Sequence, residues 1–201
     1  MKKKLEFWFD FGSNYSYITA MRIEALAERE GVDVLWKPFM LGPIFNRLGW
    51  SSSPFVEHKE KGEYVWRDME RLASKYEIPW RKPTSFPRPA VYPMRVAAAH
   101  PAATWVPEFC KAVFTLNFAQ DQDVNDNALC VRILNEIGLN GEVLVNAAQS
   151  EEKKAELRLQ SEEAIRRKIF GAPVFFVNDE MFWGNDRLED ALEYANRSKH
   201  P

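Results

Sequence analysis

The segment Asp10-Phe11-Gly12-Ser13-Asn14-Tyr15-Ser16-Tyr17 places a serine where an apolar strand gives way to a helix. Helix N-termini present unpaired N–H groups and about half a positive charge. They favour anions, including thiolates. No cysteine stands among Ser13-Asn14-Tyr15-Ser16, so redox chemistry by a local dithiol is excluded. The Ser13 hydroxyl can still donate a hydrogen bond to a thiolate that another molecule carries. The plain alternative is that Ser13 only caps the helix.

Two later segments can also do chemistry. In Phe170-Gly171-Ala172-Pro173-Val174-Phe175-Phe176, proline stands where a strand begins, a position that tolerates it. A cis Ala172-Pro173 bond would free the Ala172 backbone to meet an extended peptide in strand fashion. A trans proline that merely starts the strand is the alternative. In Phe182-Trp183-Gly184-Asn185-Asp186-Arg187, a second helix start could hold a charged ligand. Asp186 and Glu189 are equally spaced for a capping box there.

Other candidates carry less. Arg47 and Arg88 could pair with a substrate carboxylate, because a guanidinium pairs bidentately with carboxylates. The aromatic and proline-rich stretch from Trp80 to Tyr92 could wall a flat substrate site or serve as a rigid connector. Cys110 falls on an apolar helical stripe, and Cys130 is read the same way, as buried structural thiols. His58, His100 and His200 have no metal-ligand spacing.

The elements that must position these residues can be read from periodicity. Leu5–Phe11 reads as a buried strand, and Gly12-Ser13-Asn14 breaks it. From Tyr15 one helix runs to Gly31, with Ile18, Met21, Ala25 and Leu26 on one face. Val32–Trp36 is a second strand, stopped by Pro38. This β–α–β opening predicts a parallel pair with a right-handed crossover. From about Leu41 to Phe170 there are helices and loops without a convincing strand. The helical stripes are Val65, Met69, Leu72, Ala73 and Tyr76; Val106, Phe109, Cys110, Val113 and Phe114; and Val124, Ala128, Val131 and Leu134. A charged helix spans Glu151–Ile169. Pro79 to Pro93 cannot be one continuous helix. Val174–Val177 and Met181–Trp183 form a hairpin through Asn178-Asp179. A last helix carries Leu188, Ala191, Leu192 and Ala195.

Composition narrows the class. At about 150 residues per domain, 201 residues make one domain, or one with a large insertion. Hydrophobic residues are 46% and charged residues 28%, which sets aside disorder and low complexity. Lys and Arg number 27 against 29 Asp and Glu, a net −2, so no electrostatic footprint for nucleic acid or an anionic membrane exists. Two cysteines are too few for a disulfide framework. Met1-Lys2-Lys3-Lys4 fails as the start of a signal peptide because Glu6 and Asp10 interrupt the apolar stretch beyond it. No apolar run approaches membrane-spanning length. A soluble cytoplasmic protein with a frayed Lys199-His200-Pro201 tail is the default expectation.

The order βαβ, helical block, ββα describes a thioredoxin-like fold with a helical insertion. In redox members of that fold the Ser13–Ser16 turn would carry Cys-x-x-Cys. With its Ser13, Pro173 and Gly184 segments, the chain resembles the 2-hydroxychromene-2-carboxylate isomerase family and the related kappa-class glutathione transferases, which share the DsbA-type fold. The residues that carry the likeness are Asp10-Phe11-Gly12-Ser13-Asn14-Tyr15-Ser16, Gly171-Ala172-Pro173 and Gly184-Asn185-Asp186-Arg187. Leu41-Gly42-Pro43-Ile44-Phe45 and Gly49-Trp50 resemble the opening of the insertion. Asn14 stands where the family has proline, and Trp50-Ser51-Ser52-Ser53 lacks a family asparagine that contacts glutathione.

The resemblance implies an α/β thioredoxin-like domain from residues 1–40 and 168–201, with an all-helical insertion at 41–167. It implies a cis Ala172-Pro173 facing the Ser13 turn. It implies a glutathione-dependent isomerase of aromatic compound degradation, acting on a small conjugated carboxylate with glutathione as an unconsumed cofactor. Ser13 would be catalytic. Ser13, Asn14, Tyr15, Ala172, Pro173, Trp183, Gly184, Asn185 and Asp186 would bind glutathione. Trp50, Arg47 and Arg88 would face the substrate. No metal is called for, and a homodimer is expected. A transferase or peroxidase that consumes glutathione, and a non-catalytic binding protein on the same scaffold, stay open.

Overall fold

Leu5, Phe7 and Phe9 alternate with Trp8 along the first strand, and all four are buried. The computed structural model describes residues 3–197 and explains this pattern. Strands β1 (Lys3–Phe9), β2 (Val32–Pro38), β3 (Val174–Val177) and β4 (Glu180–Trp183) form one sheet of order β2-β1-β3-β4. β1 is therefore interior. It runs parallel to β2 and antiparallel to β3, with Phe7 opposite Phe175. A strand covered on both faces is apolar where both faces pack, here from Phe7 to Phe9, while the half-buried Glu6 pairs with Arg167. Leu5, Phe7 and Phe9 face the larger core with Phe11, Trp36, Phe114 and Phe175. Trp8 faces a smaller one with Phe39, Ala164, Ile169 and Phe176. β3 and β4 form the expected hairpin, with Asn178 in the left-handed region at φ 56°.

Between β1 and β2 the structure holds two helices, α1 (Asn14–Ala20) and α2 (Ile23–Glu30), where periodicity reads one. The chain turns at Met21-Arg22. There the Arg22 guanidinium lies 3.6 Å from the Tyr76 ring centre and donates to Asn185 Oδ1 at 3.2 Å. Residues 41–166 hold α3 (Leu41–Arg47), α4 (Pro54–Glu57), α5 (Lys59–Lys75), α6 (Val91–Ala99), α7 (Val106–Phe118), α8 (Asn127–Glu136), α9 (Gly141–Ala148) and α10 (Glu151–Arg166). After β4, α11 (Leu188–Arg197) packs on β1 and β3.

α6 begins inside the proline-rich stretch. Pro93 is its third residue, where a helical N–H has no partner to lose. α10 ends three residues earlier than its charge pattern suggests, with Lys168 at φ 61°. Cys110 is buried, as its stripe predicts, Cys130 is buried too, and burial pushes both thiols up, Cys130 to about 12. The capping box at Asp186 and Glu189 does not form. Gly184 opens a short 3-10 turn over Asn185–Arg187, and Glu189 pairs with Arg22 instead. Among the described residues no helix is long and apolar enough to cross a membrane. The Met1-Lys2 start, His200 and the Lys199–Pro201 tail lie outside the described residues.

Candidate active site

β1 ends at Phe9, and Asp10 organises the turn beyond it. One carboxylate oxygen accepts the Gly12 N–H at 2.7 Å, and the other accepts the Leu41 N–H at 2.8 Å. Asp10 thus ties the turn to the start of α3. Burial raises its pKa, and the two N–H bonds oppose that rise. The Asp-x-Gly spacing of such a side-chain turn was the available signal for this role. Ser13 then stands in extended conformation at the N-cap of α1, 7% exposed. Its hydroxyl accepts the Ser16 N–H at 3.2 Å and donates to the Ala172 carbonyl at 3.2 Å. Ser13 therefore caps the helix and also faces the third segment.

Ala172-Pro173 is cis, and it meets the Ser13 turn through that bond. A second cis bond, Phe86-Pro87, carries no sequence signal. Gly184 donates to the Pro173 carbonyl at 3.0 Å, so the start of the last helical segment also lies against the cis proline. Asn185 is buried, and its Oδ1 accepts from Thr19 Oγ1 and Arg22 Nη1, both at 3.2 Å. Asp186 is exposed and lies 3.5 Å from Arg187. Trp183 is 51% exposed and packs edge-on against Phe170, with ring centres 4.8 Å apart. A Cβ on Gly171 would come within 2.7 Å of Trp183 Nε1, so this approach requires glycine.

The first turn of α1 has fewer free donors than a bare helix start. Asn14 Oδ1 takes the Tyr15 N–H at 3.1 Å, and Ser13 takes that of Ser16. What remains is unusual: the buried Asn14 Nδ2 and Ser16 Oγ have no partner among the described residues. Tyr15 turns outward from the turn, donating to Asp68 at 2.8 Å and packing against Phe55. Burial first, and Asp68 second, raise its pKa so that the phenol stays protonated.

The three substrate candidates each have partners within the protein. Arg47 is exposed and donates to the Ile165 carbonyl at 3.2 Å. Trp50 packs on Phe45 with ring centres 5.7 Å apart. Arg88 is 8% exposed and is already ion-paired with Asp121. Its guanidinium is thus spent inside the protein instead of being offered to a carboxylate. In the stretch from Trp80 to Phe86, Trp80 stacks on Phe118 and lies next to Trp66, which Phe86 meets edge-on.

A serine N-cap facing a cis proline, with a helical block between the two sheet halves, is a recognisable frame. The DSBA-like thioredoxin domain family matches residues 4–195. The chain belongs to that family. Within it the chain is 30% identical to a 2-hydroxychromene-2-carboxylate isomerase of Sphingobium xenophagum over 195 residues, covering 96% of this chain and 98% of the relative. It is 23% identical over 208 residues to glutathione S-transferase kappa 2 of Caenorhabditis elegans, covering 96% and 92%. A solved 2-hydroxychromene-2-carboxylate isomerase superposes with a TM-score of 0.84 at 26% identity, covering 96% of this chain and 93% of the other. The fold is a DsbA-like thioredoxin fold, and the named relatives are isomerases and a glutathione transferase.

Proposed function

We propose that the protein is a glutathione-dependent isomerase of the 2-hydroxychromene-2-carboxylate type. The part built from residues 1–40 and 168–201 would bind glutathione, and the helical part at 41–167 would supply the substrate side. The observation that carries this reading is the meeting of Ser13 with Ala172 beside a cis proline. A strand-like peptide ligand could pair there with the Ala172 backbone. The unpartnered Asn14 Nδ2, one residue from Ser13, is a buried donor of the kind a ligand acceptor would satisfy. Similarity to the isomerases and to the kappa 2 transferase supports the same ligand.

Bound glutathione would supply a thiolate able to add reversibly to a conjugated substrate. A free thiol has a pKa near 8.5, so only a few per cent is ionised at pH 7. Ser13 would turn its hydroxyl hydrogen from the Ala172 carbonyl toward the sulfur and favour the charged form. Asp10 holds the turn while this happens. Gly184, Asn185 and Asp186 would receive the charged end of the tripeptide, with the exposed Asp186 carboxylate meeting its ammonium. Trp183 and Pro173 would flank it, and Tyr15 would border the entrance. A homodimer is part of the proposal, and sedimentation against the 23.4 kDa chain mass tests it.

The deciding experiment is turnover of 2-hydroxychromene-2-carboxylate with and without glutathione, with the thiol titrated afterwards. Turnover that requires glutathione and leaves the thiol count unchanged supports the isomerase. Loss of thiol in step with turnover would indicate a transferase or peroxidase. Binding without turnover would indicate a passive scaffold.

A further inference from the structure

Arg88 and Asn117 touch none of the residues assigned to glutathione, yet both lead to the Ser13 turn. We propose that they are positioning residues for that turn, Arg88 fixing Asn117 and Asn117 fixing the peptide that leads into Ser13. The inference rests on the reading of Ser13 as the group that meets the glutathione sulfur.

The peptide between Phe11 and Gly12 is held at both ends. Its carbonyl accepts from Asn117 Nδ2 at 2.9 Å, and its N–H donates to Asp10 at 2.7 Å. Gly12 is closely backed: a Cβ there would lie 3.2 Å from the Arg88 carbonyl and 3.3 Å from Asp10 Oδ1. Asn117 is 1% exposed, and its amide orientation is not free. Arg88 Nη1 donates to Asn117 Oδ1 at 3.1 Å and to the Asn117 carbonyl at 3.2 Å. A guanidinium only donates, so Oδ1 must face Arg88 and Nδ2 must face Phe11. Asp121 pairs with Arg88, and Thr84 contacts both, so the buried charge is compensated. The chain of contacts runs from Asp121 through Arg88 and Asn117 to a carbonyl two residues before Ser13. Small misplacements of a catalytic group are costly, about a hundredfold for 1 Å in unfavourable cases.

Asn117→Asp tests this directly. It leaves an oxygen for Arg88 and puts a second acceptor against the Phe11 carbonyl. Arg88→Lys keeps the charge beside Asp121 and loses the fork that orients Asn117. Val32→Ala removes buried apolar contact opposite Lys3, at the other end of β1 from this chain of contacts, and serves as the control. The assay is the pH–rate profile of 2-hydroxychromene-2-carboxylate turnover with glutathione, beside the melting temperature.

For Asn117→Asp, kcat should fall about tenfold with the glutathione KM nearly unchanged, and the rising limb should move up by about one pH unit, the same tenfold expressed as a pKa. Arg88→Lys should shift in the same direction, and it decides if Asn117→Asp does not fold. Val32→Ala should keep the wild-type profile even where it melts earlier. Wild-type kcat and profile in both Asn117→Asp and Arg88→Lys, with Ser13→Ala impaired, overturn the positioning role and leave the Ser13 reading standing. An equal shift in Val32→Ala overturns it too, because the effect is then general loosening. Wild-type turnover in Ser13→Ala removes the Ser13 reading, and this inference falls with it.

Discussion

The Ser13 hydroxyl and the Ala172 carbonyl, 159 positions apart in the chain, lie 3.2 Å from each other. That bond joins the two halves of the sheet at the mouth of the candidate site. The hydroxyl hydrogen is thus directed at a neutral carbonyl. A thiolate at this place must win the hydrogen from a neutral carbonyl. Bonds to charged acceptors are roughly twice as strong as neutral ones, which favours the exchange.

Gly184 sits at φ 112° and ψ 150°, a region that side-chain-bearing residues rarely adopt. A Cβ there would also collide with the Asp186 carboxylate. Gly184→Ala should cost about 1–3 kcal/mol of stability, the usual range for such backbone strain. Glutathione affinity should weaken as well, because Gly184 places both the 3-10 turn and the Pro173 contact. Denaturant unfolding and calorimetric titration with glutathione measure the two effects.

Gly171→Ala should behave differently. The added methyl meets the Trp183 ring, which is 51% exposed and can swing away. Stability should change by about 1 kcal/mol or less, because Gly171, though buried, meets a ring that can give way, and alanine at a compatible backbone also restricts the unfolded chain. If Trp183 flanks glutathione, the KM for glutathione should rise in this variant while kcat stays close to wild type. Steady-state kinetics with glutathione as the varied component test that split.

The acid limb of stability should contain Asp121. The Thr84 N–H first, and Arg88 next, hold its pKa at about 2, below the ordinary 3.8. A depressed carboxylate stabilises the fold above its unfolded pKa, and the contribution is lost as pH falls through the folded value. Asp121→Asn should therefore be less stable than wild type at neutral pH. The gap should close as pH drops from 3.8 toward about 2. Denaturation midpoints across that range check it, and a gap that stays constant would refute the assignment.

These contacts also show where sequence reading stops. β1, β2 and the final hairpin are legible because their apolar runs are bounded by Gly, Pro or Asn. Ser13, Ala172 and Gly184 are legible as candidates because a turn, a proline and a helix start each leave a local mark. The break between α1 and α2 is not, since no proline or glycine causes it. It coincides with Arg22 contacts to Tyr76 and Asn185, far away in the chain. α6 is missed because Met94 and Val96–Ala99 are buried together, which erases the helical period. Arg88 reads as a free cation because its partner, Asp121, is reached only after the chain has folded back through α7. Asn117 reads as one polar residue on an apolar helix. Only packing brings its amide to Phe11.

Ser13→Ala is the substitution on which the function turns. The alanine cannot accept the Ser16 N–H, so the N-cap is lost, typically about 1 kcal/mol of stability. It also cannot donate to Ala172 or to a sulfur. A hydrogen bond to a charged group is worth roughly 1.5–3 kcal/mol, so glutathione-dependent turnover should fall by about ten- to a hundredfold. Glutathione binding should weaken less, because the Ala172 backbone and the Gly184–Asp186 segment remain. Ser16→Ala is the matched control. The Ser16 hydroxyl is buried without a partner among the described residues, so removing it should leave stability unchanged or slightly higher. Its turnover should stay near wild type. Circular dichroism melts and initial rates on the two variants separate a cap from a catalytic donor. If Ser13→Ala melts earlier but turns over its substrate at the wild-type rate, Ser13 is a cap alone.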